Sequence, residues 1–188
     1  MALDLAGALR RLKPEKRTHP LARRPDHELT FIDHEQHAGP PLLLDTAVYI
    51  DVLQDRAPPE LEELLRVRQV NHSSVAVSEL VHNFGRLDPS HSGTKAILAP
   101  IRKVIESIPA HRLSTPSVQA GAEAGIVTGV IARVRDIPKA DRQPFLNDAT
   151  LFLQALESGS TLLSRNVADM DLIEQLVPTG RVLLYRQL

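Results

Sequence analysis

Beyond residue 40 the chain alternates short apolar runs with longer stretches whose apolar residues recur every three or four positions. Leu42 to Leu44 read as a buried strand running into the helix AVYIDVLQ, which Ala57-Pro58-Pro59 ends. ELEELLRVR puts Leu61, Leu64 and Leu65 on one face, a helical period. SVAVS, residues 74–78, is β-branched and alternating, so it predicts a second strand, with Ser78 capping a helix ELVHNFG. TKAILAPIRKVIESI predicts a helix that Pro100 kinks or splits. HRLST is a short strand, and Pro116 suits the first turn of SVQAGAEAGIVTGVIARV. RDIPKADRQP is a polar loop before the helix DATLFLQALES, which Gly159 stops. TLLS, VADMDLIEQLV and RVLLY complete the pattern as strand, helix and strand. Alternation of this kind predicts an α/β fold with a parallel sheet covered on both faces. Right-handed crossovers then bring the carboxyl ends of all strands to one edge.

Residues 1–40 break this rhythm. They are dense in charge, interrupted by Pro14, Pro20, Pro25 and Pro40, and carry four of the eight histidines. LDLAGALRRL predicts one short helix, and the remainder reads as an extended or partly disordered arm. The expected division is therefore an N-terminal extension, 1–40, and a domain, 41–188.

Four acids sit where the apolar runs end: Asp45 after PLLL, Glu79 after SVAVS, Asp148 at the start of DATLFLQAL, and Asp169 past STLLSRN. Each has an ordinary reading as a helix cap or a first-turn residue favoured by the helix dipole. Their shared position at one sheet edge, where open parallel sheets bind ligands, favours convergence instead. Unpaired acids brought together are costly unless a cation neutralises them, so the pattern points to a divalent-metal site. Mg²⁺ or Mn²⁺ suits such oxygen donors, and a coordinated metal supplies an attacking water without a Ser, Cys or His nucleophile.

Composition narrows the chemistry. There is no cysteine, which excludes disulfides, thiol nucleophiles and cysteine zinc sites. Aromatics are 3% with no tryptophan, which argues against binding single strands by base stacking. The net charge of −1 excludes a strongly basic nucleic-acid binder but permits a local basic rim, for which Arg165, Arg133, Arg135, Lys139 and Arg142 are the candidates. No apolar run approaches a membrane span, and the N-terminus lacks the order of a secretory signal, so a cytoplasmic protein is expected.

The segments LLLDTAVYIDVL, SVAVSELVHNF and NDATLFLQALESGSTLLSRNVADM together resemble the PIN domain, specifically the VapC-like ribonucleases of toxin–antitoxin pairs. An apolar strand ends in Asp45-Thr46, a Ser78-Glu79 pair opens a helix, and Asp148-Ala149 precedes a Ser164-x-Asn166-x-x-Asp169 motif. Met170 stands where the family usually has an aromatic residue. The resemblance implies a three-layer α/β/α fold with a central parallel sheet over residues 41–188. It implies that Asp45, Glu79, Asp148 and Asp169 hold Mg²⁺ or Mn²⁺, supported by Thr46, Ser164 and Asn166. It further implies metal-dependent RNA cleavage, homodimerisation and an antitoxin partner. A catalytically silent PIN scaffold that binds RNA or protein, and a housekeeping RNA-processing nuclease, are the competing readings. The extension and the length of RDIPKADRQPFLN depart from the family pattern; the loop reads first as a solvated connection, and its basic residues also suit a flap over RNA.

Rival sites are weaker. Asp171 competes with Asp169 but misses the motif spacing, and Asp51 reads as an exposed helix residue. Glu79 and His82 form one E-x-x-H pair, where a di-iron bundle needs two. His34-Glu35-Gln36-His37 is one residue short of the zinc-protease spacing. Ala47 lacks the second acid that an aspartyl-phosphate chemistry would want, and there is no phosphate-binding glycine loop.

Overall fold

The structure, a computed structural model, describes residues 3–32, 38–135, 137–138 and 141–188. His34-Glu35-Gln36-His37 and Lys139 lie outside those residues. The elements run α1 (Leu5–Leu12), β1 (Leu42–Leu44), α2 (Thr46–Leu53), α3 (Pro59–Val67), β2 (Val70–Ser73), α4 (Ser74–Arg86) and α5 (Thr94–Ser107). They continue β3 (Leu113–Ser114), α6 (Val118–Arg135), α7 (Arg142–Glu157), β4 (Thr161–Ser164), α8 (Val167–Leu176) and β5 (Val182–Leu184).

The five strands form one all-parallel sheet in the order β3-β2-β1-β4-β5. Every residue of β1, β4 and β5 is buried, so helices must cover both faces of the central and right-hand strands. The α/β/α architecture expected from the alternation is therefore present. The chain winds from β1 outward to β3, then returns to β4 on the other side of β1. That reversal of strand order opens a crevice at the carboxyl ends of β1 and β4, the usual ligand position in such sheets. The backbone enforces it: Asp45 N–H donates to the Leu163 carbonyl at 3.0 Å, and Tyr185 N–H to that of Ser164 at 3.2 Å.

Local expectations are corrected at SVAVS, at Ser78, at Pro100 and at the start of α7. SVAVS is not a strand; the strand is the preceding VNHS, and SVAVS forms the first turns of α4. Its alternation coexists with a helical period, because Ala76 and Leu80, four apart, are the buried pair. Ser73, not Ser78, caps the helix, its Oγ accepting from Val75 N–H at 3.1 Å. Pro100 lies inside helix α5 without splitting it, since the helix runs on from Thr94 to Ser107. Helix α7 starts at Arg142 rather than at Asp148, absorbing the end of the predicted loop, with Pro144 in its first turn where a missing N–H costs little.

Residues 3–32 lie along the body. Asp4 caps α1 by accepting from Gly7 N–H at 2.7 Å, and Ala8 and Leu12 are buried. Past α1, Arg133 of α6 donates to the carbonyls of Pro14 and Arg17 at 2.7 and 3.0 Å. Arg135 holds Leu21 O at 2.8 Å, and Gln175 of α8 holds Ala22 O at 3.0 Å. Arg24 binds buried Asp171 through its backbone N–H (2.8 Å) and Nε (2.5 Å), and also pairs with Glu174. Finally Phe31 forms a parallel bridge with Leu184, and Leu184 N–H donates to Thr30 O at 2.9 Å. The extension thus covers the free edge of β5.

Candidate active site

Asp45 closes β1, where the strand hands over to α2. Its carboxylate is almost fully buried and accepts from Ser164 Oγ, at the end of β4, at 2.6 Å. The same hydroxyl accepts from Asn166 N–H at 3.0 Å, so one serine ties the ends of both central strands to the loop before α8. Asn166 caps α8, and its Nδ2 donates to Asp148 and Asp169 at 2.8 Å each. Glu79, in the second turn of α4, accepts from Thr46 Oγ1 and from Asn147 Nδ2, the latter at 2.5 Å. Hydrogen bonds thus link Asp45 through Ser164 and Asn166 to Asp148 and Asp169, while Glu79 is held by neighbours of Asp45 and Asp148.

The electrostatics give an independent reading. Burial pushes Asp45 above the usual carboxylate range; the Ser164 bond opposes this and the charge of Glu79 adds to it. Asp148 is pushed up to about 9, first by burial, then by the negative charges of Asp45, Asp169 and Glu79. All four acids therefore share one field, with Asp148 at its centre. Among the described residues, no three acidic or histidine side chains stand ready as a ligand cage. The two observations differ in kind: mutual repulsion records proximity, whereas a cage requires oxygens already aimed at one point. Hydrogen bonds to Ser164, Thr46, Asn147 and Asn166 aim several of these oxygens elsewhere.

Asp45, Glu79, Asp148 and Asn166 line a cavity of about 720 Å³, with Arg165, Tyr185 and Arg186 on its wall. Asp169 lines an adjoining cavity shared with Arg135 and Pro144. Exposed His82 borders a third, beside Glu79 and Thr46. Of the basic candidates, Arg165 reaches the acid cavity. Arg133 and Arg135 are bonded to the extension's carbonyls, and Arg142 donates to Ile137 O at 3.3 Å.

Asp51 is a correction: it is fully buried, not exposed. It accepts from Tyr185 Oη at 2.8 Å and pairs with Arg165 and Arg56 at 3.2 Å each. Its pairing fixes Arg165 beside the cavity. An acid inside the apolar run AVYIDVL was the available signal. Asn147, Tyr185 and Arg186 were also missed; nothing in local sequence marks them, because their roles depend on helix phase and on the chain's final turn.

Known structures share this architecture. VapBC2 from Rickettsia felis, bound to a DNA fragment from their promoter, matches with a TM-score of 0.53 at 14% identity, covering 78% of this chain and 98% of that one. FitAB bound to the IR36 DNA fragment matches with 0.53 at 15% identity, covering 77% and 94%. FitAcB from Neisseria gonorrhoeae matches with 0.53 at 17% identity, covering 76% and 96%. At such identities the likeness is one of fold, and the fold is the PIN fold. No family model and no curated protein sequence matches the chain. No helix among the described residues is long and apolar enough to cross a membrane.

Proposed function

We propose that this PIN-fold chain is a metal-dependent endoribonuclease, and the toxin of a toxin–antitoxin pair. The observation that carries the nuclease reading is Asp148, whose carboxyl is pushed up to about 9 by burial and three neighbouring acids. Such a cluster is electrostatically incomplete, and a divalent cation is what completes it. The donors are all oxygens, which suits Mg²⁺ or Mn²⁺ over softer ions. Mg²⁺ keeps several waters and needs only one or two carboxylates, so a ready cage of three is not required.

Asp45, Glu79, Asp148 and Asp169 would hold the cation, with Ser164 and Asn166 fixing the first, third and fourth and Thr46 the second. Held by those residues, such an ion would supply an acidified water and offset charge on the phosphodiester. Arg165, held by Asp51, is placed to take a phosphate oxygen. The toxin assignment draws on the company of the fold: the matching structures are VapBC2 and two Fit complexes. A protein antitoxin and a homodimer belong to the same proposal.

The test is cleavage of a mixed RNA pool with Mg²⁺ or Mn²⁺ by the wild type and by Asp45→Asn. Cleavage should require metal and fall at least a hundredfold in the variant. Equal cleavage by both proteins, or none by the wild type in any divalent ion, sinks the reading. The lack of a ready cage favours one rival, a catalytically silent scaffold. Calorimetric titration with Mn²⁺ separates them: the nuclease binds the ion and Asp148→Asn weakens it, whereas the scaffold binds none.

A further inference from the structure

The acid cavity does not end at its carboxylates. Tyr185 and Arg186, on its wall, also line a second cavity of about 430 Å³. The extension supplies the far side of that second space through His27, Phe31 and Ile32. The start of α3 closes it with Pro58 and Glu60. Its character differs from that of the first cavity. Phe31, Ile32, Pro58 and Tyr185 give it apolar walls; Asp26, His27, Glu60 and Arg186 supply its polar groups, Asp26 being already paired with Arg186. Arg186 marks the boundary. Its guanidinium lies 5.0 Å from the centroid of the Phe31 ring and hydrogen-bonds Asp26, so both contacts come from the extension.

We propose that this second cavity is a nucleobase subsite, taking the base next to the phosphodiester that lies in the acid cavity. The inference rests on the nuclease reading above. A base has flat apolar faces and a polar edge, and the walls match that division. Arg186, open to both spaces, is placed to take the phosphate between them. Glu60 offers a carboxylate to the base edge. A carboxylate accepts from an exocyclic amino group, as on cytosine or adenine, and repels a carbonyl edge, as on uracil. The subsite therefore selects an amino-bearing base. The extension builds it, so the first 32 residues contribute to substrate choice.

The experiment compares cleavage of short oligoribonucleotides differing only in the base beside a single cleavable bond, with the wild type and with Glu60→Ala. Cytosine or adenine should exceed uracil by about tenfold in kcat/KM, and Glu60→Ala should reduce the ratio towards unity. Cleavage without base preference, or a preference that Glu60→Ala leaves intact, overturns the subsite and spares the nuclease. If no RNA is cleaved, the nuclease reading fails and the subsite is judged by titration with cytidine and uridine monophosphates. Shifts of the Ile32 methyl and His27 ring resonances with cytidine monophosphate, stronger than with uridine monophosphate, support it. No shift, or equal shifts, overturns it.

Discussion

Asp148 shows how far a single side chain departs from its free chemistry here. Its carboxyl titrates near 9 in the folded chain against 3.8 in the unfolded one. The folded state therefore binds the proton more tightly. The stability this gives is fully present below pH 3.8 and is lost as pH rises through about 9. Without divalent ions, thermal melts in EDTA should fall in midpoint between those limits. Asp148→Asn should flatten the fall and raise the midpoint at pH 8; unchanged slopes would count against the shared field. Asp51 makes the opposite case, a buried charge already matched. Asp51→Ala leaves Arg165, Arg56 and the Tyr185 hydroxyl without their acceptor. Both arginines are partly exposed, so the cost sits low in the range for a broken buried pair, about 2–3 kcal/mol by chemical denaturation. The acids were legible in sequence as residues at the ends of apolar runs. The resemblance named Thr46, Ser164 and Asn166 beside them; what the sequence hid was Asn147, which lies within α7 and meets Glu79 only through the phase of that helix.

Among the elements, α4 is where local pattern misled. SVAVS has strand propensity, yet Ser73 ends β2 and caps α4 at once. Its hydroxyl accepts from Val75 N–H and donates to Gln154 Oε1 on α7 at 2.6 Å. Ser73→Ala removes a cap and strands a buried amide oxygen, so it should cost about 2 kcal/mol in an unfolding titration. A loss below about 0.5 kcal/mol would show that the cap is dispensable. The shift of boundary carries Glu79 into the second turn of α4, where Thr46 and Asn147 can reach it. Strands β1, β4 and β5 were read correctly because they are buried on both faces, and burial leaves an unbroken apolar run. VNHS is only partly buried, with Asn71 and His72 in the strand, and gives no such run. Helix α7 began early for a related reason: Arg142, Gln143 and Pro144 look like loop but are ordinary first-turn residues.

At the scale of the whole molecule, the extension was the part least readable from sequence. Its composition is that of an arm, and what orders it is distant: arginines of α6, acids of α8 and the edge of β5. Leu12, Leu29 and Phe31 are buried by it, each worth about 2 kcal/mol of apolar burial. That sum approaches the entire stability of an ordinary domain. A chain starting at Pro41 should therefore melt well below the full chain and form aggregates by size-exclusion chromatography, through the uncovered β5 edge. A monodisperse truncation with an unchanged melting midpoint would overturn that expectation. The Phe31–Leu184 bridge has a further consequence, in time rather than in space. The chain is made from its amino end, so the extension waits unpaired until β5 has been made. The sheet edge, the Arg186 wall and the second cavity come into being together, once β5 has met the extension. A chain folded without β5 has neither the covered sheet edge nor the second cavity.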